Sequence, residues 1–397
     1  MIETPPDRLV RALAGRIQEE DVSIRTRMLE AAAGLDDVIA MGRGDPDLHT
    51  PRHIVEAAKR AIDDNQHHYT LPHGMPALRA AIARSLARDH GLDYDADEVI
   101  VTAGVQESVM LTMLGLVDPG DEVLITSPRF TTYDTAVALC GGVPVPVPTY
   151  ERDDFALMPA EIEARITPRT KALVLVTPNN PTAAVTPPEV IRQIAELARR
   201  HDLLVVSDEI YARLVYDGAE HLSIATLPGM KARTITLNGF SKSYARTGWR
   251  VGYLAAPRDF VRHLIETRHT LSINAATPSQ FAALAALEGP QGPVDEMVAE
   301  YARRRAYLMP ALRDLGLSYG YPGGAFYIYL NVSSSGLGAA EFCLRLLQEA
   351  RVMIFPGQLF GDDSDHYVRI GYLQPMPRIE EAMDRLSAFL ADVRGQA

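Results

Sequence analysis

The 397-residue chain has few of the residues that mark several protein classes. Its two cysteines, Cys140 and Cys343, lie in apolar surroundings, outside any metal-ligand or redox spacing. This excludes a disulfide-stapled scaffold and a cysteine metal site. Two buried thiols are expected, in a reducing cytoplasm. No apolar run approaches the length of a membrane span. Met1 to Pro6 lack a basic stretch leading into an apolar one, so no secretory signal is expected. Basic residues are in deficit, 39 against 51 acidic, for a formal net charge of −12. Nucleic acid and anionic membrane both demand a basic face, so neither partner is expected.

Familiar motifs are missing too. There is no GxxxxGK[ST] phosphate loop and no GxSxG nucleophile elbow. Gly42-Arg43-Gly44-Asp45-Pro46-Asp47 begins like a dinucleotide fingerprint, but Asp47 stands at the third glycine. Pro46 and Pro51 also bar a helix from opening there, which excludes a Rossmann dehydrogenase. His49, His53, His67, His68 and His73 have no HExxH pattern or cysteine pair beside them and read as surface or loop residues.

What is present is a typical globular composition, 47% hydrophobic and 23% charged, at a length suited to about two domains. From about residue 97 to 257, strand-like runs alternate with helical ones. Val99–Thr102, Glu122–Ile125, Val143–Val145, Lys171–Val176, Leu203–Val206, Thr234–Leu237 and Val251–Ala255 read as strands. Gln106–Leu116 and Pro188–His201 read as helices, the second with Val190, Ile191, Ile194, Leu197 and Ala198 on one face. The alternation predicts an α/β fold with a mostly parallel sheet flanked by helices. Beyond Pro257 the pattern turns mostly helical, with candidates at Pro278–Leu287 and Val294–Leu315. Strands at Phe326–Leu330, Val352–Phe355 and Tyr367–Ile370 and a last amphipathic helix then suggest a smaller α+β domain. The expected division is 46–290 for a large domain and 291–397 for a small one, with 1–45 packing against the latter.

The most informative stretch runs from Asn238 to Tyr253, NGFSKSYARTGWRVGY. It follows a predicted strand, so Lys242 falls at a strand's C-terminal end, where α/β sheets place ligands. A buried lysine there is a nucleophilic amine. Asp208, in Val205-Val206-Ser207-Asp208-Glu209-Ile210-Tyr211, also ends a predicted strand and could equally be a helix N-cap. Thr102-Ala103-Gly104-Val105-Gln106-Glu107 joins a strand to a helix. It is either an ordinary turn or an anion site at a helix N-terminus. By residue type alone, Phe130 suits a core and Arg369 a strand edge.

Taken together, Ser241-Lys242, Thr247-Gly248-Trp249-Arg250 and Gly252 resemble the cofactor-lysine signature of the class I/II aminotransferases, the fold-type-I pyridoxal 5'-phosphate enzymes. The likeness runs from about residue 23 to the C-terminus. It implies a seven-stranded-type sheet in the large domain and a Schiff base between Lys242 and the cofactor. Asp208 would pair with the ring nitrogen, while Tyr211 and Asn180 would bond the phenolic oxygen. Gly104, Val105, Gln106, Ser241 and Arg250 would hold the phosphate, and Phe130 would stack on the ring. Tyr69 would reach the phosphate of a neighbouring subunit, making the enzyme a homodimer. Arg369 would clamp the substrate α-carboxylate, helped by Asn180 and the backbone of Gly44. Gly323–Tyr327 and Phe355–Gly357, with Phe360-Gly361, match small-domain segments. Two positions depart from the family pattern: Ala183 replaces a usual glycine, and Gly239 replaces a common serine.

The implied activity is ping-pong transfer of an amino group between an L-amino acid and a 2-oxo acid, with Lys242 as the base. The same constellation serves carbon–sulfur β-lyases, cyclopropane-forming synthases and amino-acid oxidases. Arg43 and Arg129 face either the substrate or the surface. A regulatory module on this fold would need a DNA-binding extension, and about twenty residues precede the likeness.

Overall fold

A computed structural model describes residues 12–15, 24–361 and 364–395. The reading of Met1 to Pro6 lies outside the described residues. A seven-stranded sheet organises the first two thirds of the chain. Its members are β2 (Val99–Thr102), β3 (Glu122–Ser127), β4 (Val143–Pro148), β5 (Thr170–Val176), β6 (Leu204–Asp208), β7 (Thr234–Gly239) and β8 (Gly252–Ala255). The order is β2-β8-β7-β6-β5-β3-β4. Only β8 runs against its neighbours; β3 to β7 pair in parallel.

Strand β5 shows why the sheet is central. Ala172, Val174 and Val176 join one apolar cluster, while Leu173 and Leu175 join another. Successive side chains point to opposite faces, so an unbroken apolar run is what a strand covered on both sides requires. The helix Pro188–Arg200 seals one face with Ile191, Ile194, Ala195, Leu197 and Ala198, all buried. β4 is longer than expected, reaching Pro148. Pro144, Pro146 and Pro148 lack N–H donors, and their even spacing turns that lack toward the open side of an edge strand.

A second, antiparallel sheet holds β9 (Ser318–Tyr319), β10 (Tyr327–Asn331), β12 (Phe355–Pro356) and β13 (Tyr367–Gly371) in the order β12-β13-β10-β9. Near the N-terminus, β1 (Ile39–Ala40) pairs in parallel with β11 (Val352–Met353). The expected single strand Val352–Phe355 is therefore two strands. Val352 and Met353 serve β1, whereas Phe355 and Pro356 pair with Arg369 and Val368. A continuous apolar run looks like one strand when it changes partner midway. Cys343 is buried, but Cys140 is only partly so, because it caps the short helix Thr132–Leu139. His53 is half-buried in the helix Arg52–Asp63 rather than on the surface or in a loop, whereas His73 lies in a turn and His49, His67 and His68 are exposed.

Candidate active site

The parallel strands deliver their C-terminal ends to one edge of the large sheet, and the candidate residues sit there. β8 reaches the same edge by running backwards. Gly252 pairs with both Thr102 and Gly239, which brings the preceding Arg250 beside the turn after β2. A cavity of about 450 Å³ opens at this edge. It is lined by Lys242, Asp208, Tyr211, Asn180, Ser241, Arg250, Phe130, Val105, Gln106, Gly44 and Arg369, eleven of the residues named from sequence.

Lys242 is half-buried, and its Nζ donates to the Gly44 carbonyl at 2.7 Å. Burial, with the positive field of Arg369 second, pulls its pKa down to about 8. A lysine in this state holds a sizeable neutral, nucleophilic fraction near neutral pH. Asp208 is buried, 4% exposed. Its Oδ2 accepts the Tyr133 hydroxyl at 2.6 Å and its Oδ1 accepts the Ile210 amide at 3.0 Å. Desolvation outweighs those donors and pushes the carboxyl up to about 6. No helix begins at Asp208, so the N-cap reading fails. It is a carboxylate held toward a cavity at an energetic cost.

Arg369 is buried in β13 and is no strand-edge surface residue. Its Nη1 donates to Asn180 Oδ1 at 2.7 Å and its Nη2 to the Gly42 carbonyl at 2.6 Å, while Nε has no hydrogen-bond partner. The guanidinium lies over the rings of Tyr327 and Phe360, 4.1 and 4.4 Å from their centroids. Burial lowers its pKa without threatening its charge. The Tyr211 and Tyr327 hydroxyls stand 3.2 Å apart, and burial holds both far from ionisation at neutral pH.

Gly104 precedes the helix Val105–Leu116 with φ +86, and a Cβ there would meet Arg250 Nη2 at 2.5 Å. The position thus requires glycine twice, once for its backbone and once for the arginine packed on it. First-turn amides of a helix have no intrahelical acceptor, so those of Val105 and Gln106 are left facing the cavity. Gly44 is pressed as closely: a Cβ would lie 2.1 Å from Tyr327 Oη. Ala183, at the family's glycine position, adopts φ +60 and keeps the turn closed by donating to the Asn179 carbonyl at 3.0 Å.

Two expected residues lie differently. Tyr69 is 80% exposed and outside the cavity of its own chain. Arg129 faces neither the cavity nor open solvent, because it is engaged by Asp134, Nε to Oδ2 at 2.8 Å. Arg43 does line the cavity and is exposed at its mouth, joined by Arg25 from the helix Ile24–Ala33. The sequence reading missed Tyr133, Tyr327 and Arg25. Tyr133 stands three residues after Phe130, at the start of a helix, and that spacing alone could have suggested a shared face.

An α/β sheet with a half-buried lysine and a buried carboxylate facing one cavity, and two further arginines at its rim, has the layout of an enzyme's active site. Residues 36–386 match the family described as aminotransferase class I and II. The chain belongs to that family and is a pyridoxal-phosphate-dependent aminotransferase. It is 40% identical to aromatic-amino-acid aminotransferase 2 of Thermococcus litoralis over 96% of this chain and 99% of that one. It is likewise 40% identical, with the same coverage, to an aspartate aminotransferase of Pyrococcus abyssi. Among solved structures, the Thermus thermophilus aspartate aminotransferase with maleate superposes with a TM-score of 0.90, at 36% identity and 95% and 99% coverage.

Proposed function

We propose that the cavity holds pyridoxal 5'-phosphate and exchanges amino groups between amino acids and 2-oxo acids, with Lys242 and Asp208 as the two groups that do the chemistry. The observation that carries this is their placement in one cavity with opposite perturbations: an amine lowered to about 8 and a carboxyl raised to about 6. The residues fit the cofactor. Gly104 leaves room where a Cβ would displace Arg250, and the amides of Val105 and Gln106 are available to a phosphate dianion. Ser241 adds a hydroxyl on the same wall, and Phe130 adds an aromatic face.

When bound, the cofactor supplies an aldehyde for the lysine and a ring that accepts electron density. Asp208 keeps a proton shared with the ring nitrogen, since a desolvated carboxylate gains most by pairing with a cation. Tyr133 donating to Oδ2 and Ile210 donating to Oδ1 fix the carboxylate's orientation, and each oxygen would keep a lone pair for the ring nitrogen. Tyr211 and Asn180 present hydrogen-bonding groups where the ring's oxygen would lie. Arg369 offers its unsatisfied Nε and a partly committed fork to the substrate α-carboxylate, beside the Gly44 backbone. Lys242 Nζ would be the group that takes up the proton of the substrate α-carbon and gives it back. Using the same atom for both transfers needs a near-neutral pKa.

After a phosphate takes Arg250 and an α-carboxylate takes Arg369, Arg25 and Arg43 remain at the mouth. They support a substrate with a second carboxylate. Tyr69, exposed on its own chain, supports a homodimer in which it enters the partner's cavity. The separate sheets support the 46–290 and 291–397 division, and the pairing of β1 with β11 supports joining the described residues before 46 to the latter. No described helix is long and apolar enough to cross a membrane. The two free cysteines support a cytoplasmic setting.

The test is a panel of amino donors with 2-oxo acids, scoring amino acid lost against amino acid gained. Equal exchange is expected. Release of ammonia, sulfide or peroxide in place of exchange would refute the reading.

A further inference from the structure

One group of side chains outside the cavity is built for a ligand that the aminotransferase chemistry does not use. Asp208 faces the cavity, but Glu209 next to it lines a separate small space together with His90 and Arg213. Glu209 is fully buried. Its Oε1 takes two donors, the hydroxyls of Ser207 at 2.9 Å and Ser223 at 2.5 Å. Its Oε2 has none. The His221 side chain is 4% exposed, and its Nε2 lies 3.3 Å from Oε2, yet neither of its ring nitrogens makes a hydrogen bond. His90, the last residue of the helix Pro76–His90, brings a third ligand atom, and all three lie within 4.8 Å of one another. The nearby Arg213 donates instead to Tyr244 at 3.1 Å and Gln291 at 2.7 Å, so it does not neutralise Glu209.

A buried carboxylate needs a cation beside it, and here either a protonated His221 or a bound metal ion would supply one. We propose that His90, Glu209 and His221 bind one divalent transition-metal ion of the zinc type, with water completing the shell. Two imidazoles and a carboxylate suit that ion better than calcium or magnesium, which prefer oxygen ligands. Tetrahedral ligands about 2.0–2.1 Å from zinc stand roughly 3.3 Å apart. The Glu209–His221 edge already has that length. His90 closes the remaining gap from a helix end, where Gly91 follows in a left-handed turn. The ion would tie that helix end and the loop carrying His221 to the residue beside Asp208, serving as a structural clamp.

The experiment uses holoenzyme purified without metal-affinity chromatography and stripped with a chelator. Zn2+ is titrated against a chromophoric competitor, and Co2+ is followed by its visible spectrum. One equivalent per chain is expected, with Co2+ bands of low coordination number. Glu209→Gln keeps both serine hydroxyl partners, and His221→Ala removes an imidazole; each is expected to weaken binding by at least about tenfold. Failure of the folded wild type to bind Zn2+, or undiminished binding in both Glu209→Gln and a His90→Ala/His221→Ala double variant, would overturn the site. X-ray absorption on the wild type, expected to show two imidazoles, decides the matter should a variant fail to fold. An ordinary imidazolium–carboxylate pair would give no stoichiometric binding.

Discussion

Replacing Asp208 by asparagine should make the cofactor-free protein more stable while destroying its activity. The carboxyl is raised from 3.8 to about 6, so the folded state holds a proton that the unfolded chain gives up more readily. At about 1.4 kcal/mol per pKa unit, wild type forgoes about 3 kcal/mol of stability above pH 6. A raised carboxyl contributes its stability at low pH and loses it as pH climbs from 3.8 through 6, so the penalty is roughly half as large at pH 5. Asparagine is isosteric. Its oxygen accepts the Ile210 amide and its NH2 donates to the Tyr133 oxygen, which leaves the Tyr133 O–H to water in the cavity that Tyr133 lines. Unfolding entropy of roughly 2 cal/mol/K per residue converts 3 kcal/mol into a rise of about 3–4 °C for a chain of this length. The assay is thermal unfolding of the phosphate-resolved apoprotein, wild type against Asp208→Asn, at pH 5 and pH 8. The expected result is a gain at pH 8 about twice that at pH 5. A variant no more stable than wild type at pH 8, or an offset independent of pH, would refute the claim that desolvation governs this carboxyl.

Lys242→Ala should lower turnover by at least about a thousandfold, the scale of losing a positioned base, and remove the absorbance of lysine-bound cofactor. Steady-state rates and a spectrum check both. Gly104→Ala adds a methyl against Arg250 at a left-handed position, so cofactor retention measured by dialysis should fall by about tenfold or more, at a cost of about 1–2 kcal/mol in backbone strain alone. Arg43→Ala should raise KM for dicarboxylic donors by about tenfold, the worth of one charge-assisted contact, and leave monocarboxylic donors nearly unchanged. A uniform effect across the donor panel would remove Arg43 from the substrate's path.

Much of the site could be read from sequence because it is local. Asn238 to Arg250 carries a lysine, a serine and an arginine in one loop, and Gly104 to Gln106 begins a helix. The large sheet was legible for a similar reason, since a strand buried on both faces leaves an unbroken apolar run such as Lys171 to Val176. What escaped depends on packing between distant segments. Tyr133 became a donor to Asp208 across 75 residues of chain, and Tyr327 met Tyr211 across 116. The run Val352 to Phe355 gave no sign that it divides between two sheets. Nor did His90 and His221 draw notice, because the histidines that cluster in sequence are not those that meet Glu209 in space.

The wall proposed to bind the substrate carboxylate is stitched from opposite ends of the chain. Gly42 and Gly44 come from near its start, Arg369 from close to its finish, and β1 is zipped to β11 between them. A ribosome making this protein can therefore complete the lysine-bearing sheet long before the clamp exists. The half-made chain has its lysine but not Arg369, whose positive field helps lower that amine's pKa. The last few dozen residues therefore bring the guanidinium and, with it, part of what activates the lysine, so the two arrive together.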